Sequence, residues 1–268
     1  MRLVVVLLTV FACVAPVRSQ TTAGASGGYV RFSGERSEQA LSGIVEFQPS
    51  AWLTLYAVPA WLRISDTVSG RSVSSSGLGD LPLFAAAEYT PATAWSPTVA
   101  AALSIVLPTG KRSCGLGNGV TTTEVDVGVG VAPGEGRAHV SADASRSLSG
   151  VAARSALSAP SATTLRVEAG YDVSPAWTWT ASVGLDVGAA DSTPDRVVGL
   201  GVRHSIAGPL GVVLDASRGL TSTSPQWVLS LGLGTAYSGP SPVTPTSPLR
   251  RLGATFGGGG GGGPKTGC

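Results

Sequence analysis

Three side chains on one strand-like segment have the types needed for nucleophilic chemistry. His139, Ser141 and Asp143 alternate with Val140 and Ala142, and alternate residues of a β-strand lie on one face. A histidine beside a serine can accept the hydroxyl proton and activate the oxygen as a nucleophile. Because proximity along a strand is common without catalysis, we expect no catalytic residue here.

No other group of residues has the spacing of an enzyme or metal centre. His204 follows Arg203 near the end of a predicted strand, where a solvated imidazole is expected rather than a metal ligand. The sequence contains no phosphate-binding loop, metal-ligand cluster or catalytic-triad spacing. We therefore expect neither a metal nor a cofactor.

The first 19 residues have the layout of a secretory signal peptide. A basic Arg2 is followed by an apolar run at residues 3–16, and small residues precede a cleavage site after Ser19. Removing residues 1–19 takes away Arg2 and Arg18, so the 18 basic residues become 16, against 16 acidic ones. The neutral mature chain gives no indication of nucleic-acid binding.

Residues 177–188 show a strict two-residue alternation of side-chain type. Polar residues and glycines separate the apolar residues Trp177, Trp179, Ala181, Val183, Leu185 and Val187. A strand with this pattern has one apolar face, and its length matches the roughly 9–11 residues that a tilted strand needs to cross a bilayer. Only 13% of the residues are charged and mean hydropathy is +0.27, yet no apolar run after the signal peptide reaches a helical span. The pattern favours a transmembrane β-barrel.

About twelve such strands are expected, forming an all-β, antiparallel up-and-down barrel within residues 20–237. They are predicted at 27–34, 40–48, 52–65, 78–90, 95–107, 119–132, 135–149, 163–174, 177–190, 194–206, 209–221 and 225–237. Short Pro/Gly turns alternate with longer polar loops, such as 66–77, 108–118 and 148–163. This alternation is typical of outer-membrane barrels. It predicts the outer membrane of a Gram-negative-type bacterium, with outer-membrane lipids and the barrel-insertion machinery as partners.

When the apolar rows are assigned to lipid, a largely polar set of side chains faces the barrel interior. The expected lumen-lining residues are Asp80, Glu88, Glu124, Asp126, Arg166, Glu168, Asp172, Asp186, Arg203 and Asp215, with Arg137 and Asp143 on the same face. An acid-rich lumen favours neutral or cationic solutes, whereas pairing of these charges can close a narrow barrel. Two roles stay open for Asp80 and Asp126, which are binding of basic groups across the lumen and capping of loop amides.

Glycine-containing motifs surround one of the predicted loops. Gly77-Leu-Gly-Asp-Leu81 leads into a strand, Leu107-Pro-Thr-Gly110 ends the next one, and Gly115-Leu-Gly-Asn-Gly119 precedes Asp126. This combination resembles the outer-membrane barrels described as transporters of the phenol-degradation MetA pathway type, over roughly residues 28–237. The resemblance implies passive transport of small solutes, such as small hydrophobic or aromatic compounds.

Three alternatives to a channel remain open at this point. The His139 and Ser141 pair resembles the His-x-Ser of outer-membrane phospholipases, which are twelve-stranded barrels, although no Asn-Gly follows Ser141 here. A second alternative is a structural or surface-display barrel with a closed lumen. A third is a secreted water-soluble β-sandwich, in which the apolar rows would be buried between two sheets.

Residues 238–268 differ from the barrel in composition. Prolines, serines and threonines are followed by an unbroken glycine run at 257–263, and such a segment cannot bury a core, which predicts a disordered tail. Barrels of the family that the sequence resembles usually end on an aromatic residue, whereas Tyr237 precedes this tail. Cys114 and Cys268 fall on opposite sides of the membrane in the predicted strand map, so we expect that they do not pair.

Overall fold

The computed structural model describes ten ranges of the chain, and nearly all of them are β-strand. The described residues are 20–32, 36–50, 52–68, 70–91, 97–132, 137–149, 163–187, 195–207, 210–222 and 224–235. The strands are β1 Gln20–Arg31, β2 Ser37–Ser50, β3 Leu53–Ala57, β4 Ala60–Val68, β5 Arg71–Leu78, β6 Leu81–Tyr89, β7 Thr98–Leu107, β8 Thr122–Val131, β9 Ala138–Ser149, β10 Thr163–Ser174, β11 Trp177–Val187, β12 Arg196–Ala207, β13 Leu210–Gly219 and β14 Trp227–Gly234. Within these ranges, no helix has the length and hydrophobicity needed to span a membrane.

The strands form one closed antiparallel barrel. From β6 to β14 each strand pairs with its neighbours in sequence, and β1 pairs with both β2 and β14, which closes the sheet on itself. Strands β3 and β4 both pair with β2. On their other side, β3 pairs with β6 and β4 pairs with β5. Each of the pairs β3–β4 and β5–β6 therefore fills one position of the wall. The fourteen segments therefore build twelve wall positions, and the predicted fold class is confirmed.

Exposure along the strands follows the predicted alternation. On β11 the side chains of Trp177, Trp179 and Val183 are exposed, whereas the hydroxyl residues between them are partly covered. On β8, Val127 and Val129 are 53% and 55% exposed. A water-soluble sandwich would bury these rows between its sheets, so the sandwich alternative is wrong. An apolar outer surface of this extent is suited to contact with lipid.

The barrel closes along a seam of glycines. Gly24 of β1 lies opposite Gly234 of β14, and a Cβ atom added to Gly234 would lie 2.3 Å from the Gly24 Cα atom. Strand β1 begins at Gln20, earlier than predicted. Residues 21–27 are small and lack hydrophobic alternation. They are held in the wall by backbone pairing with two neighbouring strands.

Two predicted strands are interrupted, and one predicted loop is a strand pair. The wall positions formed by β3–β4 and β5–β6 break at Val58-Pro59 and Gly79-Asp80. Residues 66–68 and 71–77, predicted as parts of a loop, belong to the paired strands β4 and β5. Ser72 to Ser76 carry no apolar alternation, and their strand conformation comes from the ladder with β4.

The barrel has two distinct ends. At the turn end, β1 begins and β14 ends. At the loop end, β7 and β8 are joined by residues 108–121. The predicted signal peptide 1–19, the predicted tail 238–268, Trp95 and the turn residues 92–94, 133–136 and 208–209 lie outside the described residues.

Candidate functional site

One half of the inner wall carries a network of charged side chains, which we name the charge ladder. It consists of Asp143 on β9, Arg166 and Asp172 on β10, Arg203 on β12 and Asp215 on β13. Each of these side chains occupies the face opposite to the exposed apolar row of its strand. The alternation of apolar and polar residues thus positions five charges from four strands on one inner surface.

Arg166 is the arginine of the charge ladder that lies nearer the loop end. Its Nη2 atom donates a hydrogen bond of 3.2 Å to Ser182 Oγ on β11. Its guanidinium also interacts electrostatically with the carboxylates of Asp143 and Asp215. Asp143 is its register partner on the adjacent strand, whereas Asp215 lies three strands away. The electrostatic interactions of Arg166 therefore extend to a strand, β13, that does not pair with β10.

Arg203 is the arginine of the charge ladder that lies nearer the turn end. Like Arg166, it interacts electrostatically with Asp215. Its guanidinium interacts electrostatically with the carboxylates of Asp215 and Asp172. Asp172 is held in turn by Thr178, whose Oγ1 donates a hydrogen bond of 2.6 Å to Asp172 Oδ1. The ladder contains three carboxylates and two guanidinium groups, so its summed charge is negative.

A glycine makes room for the centre of the charge ladder. A Cβ atom at Gly201 would lie 2.4 Å from Asp215 Oδ1 and 2.5 Å from Thr180 Oγ1. Gly201 pairs with Thr180 on β11 and with Asp215 on β13. The absence of a side chain therefore lets the flanking polar groups approach each other over β12.

The other half of the inner wall carries an apolar cluster, which we name the inner apolar cluster. Its buried members are Val30, Ala40, Ile44, Tyr56, Val58, Phe84, Ala86, Ala102 and Val213, and Phe32, Leu62 and Val228 pack against it. The rings of Tyr56 and Phe84 stack with their centroids 4.7 Å apart. The expectation of a mainly polar interior is wrong for this half of the wall. Strands β2, β3 and β6 carry apolar residues on both faces.

The segment between β7 and β8 folds against the inner wall at the loop end. Asp80, at the interruption between β5 and β6, accepts hydrogen bonds from the backbone N–H groups of Gly110 at 2.9 Å and Asn118 at 2.8 Å. Thr109 Oγ1 donates to Gly79 O at 2.8 Å. For Asp80, the structure therefore supports capping of loop amides over the bridging of basic groups across the lumen.

Apolar contacts hold the same segment. Cys114 and Leu116 are buried against Ile64 of β4, and Cys114 closes a short 3-10 turn, Arg112–Cys114. The sulfur of Cys114 is engaged in a disulfide. The expectation that Cys114 and Cys268 do not pair concerns a residue outside the described ranges.

The remaining predicted lumen residues lie outside the charge ladder. Glu88 is on β6 near the turn end, where its backbone N–H donates to Trp52 O. Glu124 and Asp126 are on β8, and Asp126 is buried. Glu168 is buried on β10, between the ladder residues of that strand. Asp186 on β11 accepts a hydrogen bond of 2.7 Å from Thr164 Oγ1. Arg137 is exposed at the start of β9.

The histidine and serine on β9 occupy the inner face, as the phase predicts. Ser141 is 2% exposed, while Val140 on the other face is exposed. The His139 ring lies over Gly170, where an added Cβ would be 2.0 Å from the imidazole Nε2 atom. A phospholipid at the outer surface therefore cannot reach the Ser141 hydroxyl.

The second histidine is packed at the turn end rather than freely solvated. The ring of His204 stacks on that of Trp177 with centroids 4.0 Å apart. Its Nδ1 atom lies 3.1 Å from Ala176 O. Trp177 and His204 are register partners on β11 and β12, so cross-strand pairing positions this contact.

Sequence patterns missed part of the inner wall at the loop end. Arg36 and Glu38 form an ion pair of 2.6 Å, and the Arg36 guanidinium lies over the Phe32 ring at 5.1 Å. Glu38 is buried at the start of β2. The inner face of β2 could have been recognised from the alternation along this strand, in which one row is Glu38, Ala40, Ser42 and Ile44 and the other is Leu41, Gly43 and Val45. Both rows contain apolar residues, so the alternation alone did not show which row faces inward.

Comparisons with known proteins show the fold. No family model and no curated protein matches this sequence. The structure is similar to that of the COG4313 outer membrane channel from Pseudomonas putida F1, with a TM-score of 0.58 and 17% identity over 82% of this chain and 96% of that one. It is also similar to the KdgM porin, with a TM-score of 0.52 and 8% identity over 81% of this chain and 99% of that one. The chain therefore has the closed barrel fold of these two proteins.

Proposed function

We propose that this protein is a passive channel of the outer membrane for small solutes, including small hydrophobic or aromatic compounds. The observation that carries the proposal is the division of the inner wall into an apolar cluster and a charge ladder, inside a barrel whose outer face is apolar. A solute with an apolar body can contact the cluster while water and polar groups remain at the ladder. The likeness to an outer membrane channel and a porin supports this proposal.

The outer surface supports a place in the membrane. Large apolar side chains are exposed on most strands, and aromatic residues collect at the turn end, namely Trp52, Tyr89, Tyr171, Trp177 and Trp179. Aromatic residues at one level of a barrel are typical of a membrane interface. We infer export with a signal peptide at residues 1–19, insertion by the barrel machinery, and contact with outer-membrane lipids.

The charged inner residues set the preferred charge of the solute. The proposed path is lined by Asp80, Glu88, Glu124, Asp126, Arg166, Glu168, Asp172, Asp186, Arg203 and Asp215, of which eight are acidic. Such a lining favours neutral or cationic solutes over anions. Lipid hydrolysis is not proposed, because Ser141 lies on the inner face.

A structural barrel with a closed lumen is the second candidate. It is favoured by the deep burial of inner residues, since Val30 and Ile44 are each 1% exposed. Single-channel recording in planar bilayers separates the two functions. We expect conductance steps that are cation-selective in a salt gradient, and a weaker preference for cations in an Asp215→Asn variant. Complete absence of conductance in folded protein, both with and without the tail, would support the structural barrel.

Liposome swelling tests the solute class. Vesicles containing the protein should admit small aromatic solutes faster than sugars of similar mass, because only the aromatic solutes can contact the inner apolar cluster favourably. Equal rates for both solute classes would contradict a role for that cluster in selection. Vesicles with heat-denatured protein are the control for leakage through the lipid.

A further inference from the structure

We propose that three arginines and a tryptophan on the lipid-facing surface of the barrel bind the phosphorylated head group of lipopolysaccharide, the glycolipid of the outer leaflet. The site, which we name the arginine patch, consists of Arg31, Arg196, Arg218 and Trp227. The inference rests on the proposed place of the barrel in the outer membrane, and it does not depend on whether the lumen conducts.

The two faces of the wall differ in the sign of their charged residues. The acidic residues of the described strands lie in the rows opposite to the exposed apolar side chains, and among them Glu38, Asp126 and Glu168 are buried. On the outer rows of the described strands, the charged residues are exposed arginines, namely Arg31, Arg63, Arg146, Arg196 and Arg218. The lipid-facing surface of these strands is therefore cationic.

The outer arginines lie in the half of the wall that is nearer the loop end. Arg31 is the last residue of β1 and Arg218 is next to the last residue of β13, and both strands run toward that end, where β12 begins with Arg196. A lipid-facing arginine is costly at the bilayer midplane and is tolerated near an interface. Because the longer loops of outer-membrane barrels face the exterior, these side chains lie at the level of the outer-leaflet head groups.

Four consecutive positions of the wall contribute to the arginine patch. Arg31 on β1 is the register partner of Trp227 on β14, and the Arg218 Cζ atom lies 5.2 Å from the centroid of the Trp227 ring. Arg218 pairs with Val198 on β12, two residues from Arg196 on the same face. Since neighbouring strands are about 4.8 Å apart, the patch extends about 14 Å around the barrel.

The positive charge of the patch is not neutralised by the protein within the described ranges. There, none of Arg31, Arg196 and Arg218 forms an ion pair, and the carboxylates of the same strands face the lumen. Like charges repel, and the repulsion is strong where lipid lowers the local dielectric constant. An anionic group placed between the arginines therefore lowers the electrostatic energy of the folded barrel.

The chemistry of the patch fits a phosphorylated lipid. A guanidinium group binds phosphate through paired N–H donors, and tryptophan is typical of the membrane interface. Nearer the bilayer centre, Leu200 on β12 and Leu229 and Leu231 on β14 are exposed. Acyl chains can lie along these rows while phosphates contact the arginines. A phosphorylated head group joined to acyl chains matches both parts of this surface, whereas free phosphate matches only the first.

Thermal unfolding in detergent micelles tests the site with the lipid A part of lipopolysaccharide. Bis-phosphorylated lipid A should raise the unfolding midpoint of the full-length barrel in a saturable manner, because a ligand of the folded state stabilises it. Lipid A without its phosphates should have little effect. The half-saturating concentration should rise about fivefold for each patch arginine that is replaced by glutamine, as in Arg31→Gln, Arg196→Gln and Arg218→Gln.

Two arginines outside the patch provide matched controls. Arg63→Gln on β4 and Arg146→Gln on β9 remove the same charge from an outer row and should leave the half-saturating concentration unchanged. Heat-modifiable migration shows whether each variant is folded. Arg218→Lys keeps the charge but loses the forked donors, so it should bind with intermediate strength and serves if a glutamine variant does not fold.

Three results would overturn the site. They are equal stabilisation by phosphate-free lipid A, equal stabilisation by phosphatidylglycerol or inorganic phosphate at the same phosphate concentration, and an equal loss of binding in the Arg63→Gln or Arg146→Gln control. The first result would assign the effect to the acyl chains, and the second to anions in general. The third would assign it to the overall charge of the outer face.

Single-channel recording separates the lipid site from the channel. Because the patch lies on the outer face, Arg218→Gln should conduct as wild type does. If lipid A binds at the patch but the barrel does not conduct, the channel function fails and the lipid site stands. If the barrel conducts but does not distinguish phosphorylated from phosphate-free lipid A, the lipid site is overturned and the channel stands.

Discussion

The carboxylate of Asp80 accepts a hydrogen bond of 2.9 Å from the backbone N–H of Gly110, thirty residues further along the chain. The other carboxylate oxygen accepts from Asn118 N. One side chain therefore holds both arms of the segment that folds over the loop end of the barrel. Asp80 itself lies at the break between β5 and β6.

Replacing Asp80 by alanine should release this segment. Each hydrogen bond to a charged group contributes about 1.5–3 kcal/mol, and both are lost in Asp80→Ala. We expect faster proteolysis within residues 108–121 and more frequent switching between conductance levels. Asp66→Asn is the control, because Asp66 Oδ1 accepts only from the adjacent Thr67 N among the hydrogen bonds described for it. An unchanged cleavage rate in Asp80→Ala would contradict the role of this contact.

A methyl group at Gly201 should disturb the charge ladder. The new Cβ in Gly201→Ala would lie 2.4 Å from Asp215 Oδ1, so the carboxylate must shift from its position in the charge ladder. Overpacking of this kind costs about 1–3 kcal/mol, and the cation preference of the channel should change. Reversal potentials in a salt gradient measure the effect.

The matched control for this substitution is Gly184→Ala. Gly184 lies on the same inner face, and an added Cβ there meets nothing within 4 Å. Equal reversal potentials and equal stability for the two variants would show that close packing at Gly201 does not position Asp215.

Removal of the Tyr56 ring should open a cavity in the inner apolar cluster. Tyr56 is buried and stacks on Phe84, and truncation of a large buried aromatic residue to alanine costs about 3–5 kcal/mol. We expect a lower urea midpoint for Tyr56→Ala in detergent micelles and an altered rate of aromatic solute entry. Tyr89→Ala, at an exposed position on β6, should change the midpoint much less. Similar midpoints for both variants would argue against a packed inner cluster.

A charge on the outer face should impair insertion into the membrane. Val127 is exposed on β8, and a lysine near the bilayer midplane of a barrel costs about 2–4 kcal/mol. We expect less heat-modifiable barrel in the membrane fraction for Val127→Lys. Leu148→Lys, an exposed position near the loop end of β9, is the control and should insert normally. Normal insertion of Val127→Lys would contradict lipid contact at this row.

Local side-chain alternation predicted most of the wall correctly. Strands β8, β10 and β11 have one almost entirely apolar row, so their phase and their exposed faces followed from the order of residues alone. This also placed Asp126, Arg166 and Asp172 on the inner face. The prediction was weakest for β1, where small residues and glycines give no row to recognise, and for β5, whose serines form a ladder only because β4 lies beside them.

The sequence by itself determined that this chain builds a barrel of about twelve strands with an apolar outer surface, because a two-residue period fixes which side of each strand a residue occupies. The tertiary structure alone decided which inner residues meet. Asp215 interacts electrostatically with Arg166 across two intervening strands, and Asp80 binds a segment thirty residues away, because closure and register bring together positions that no local pattern relates. The same closure places Tyr56 beside Phe84 and gives the interior its apolar half.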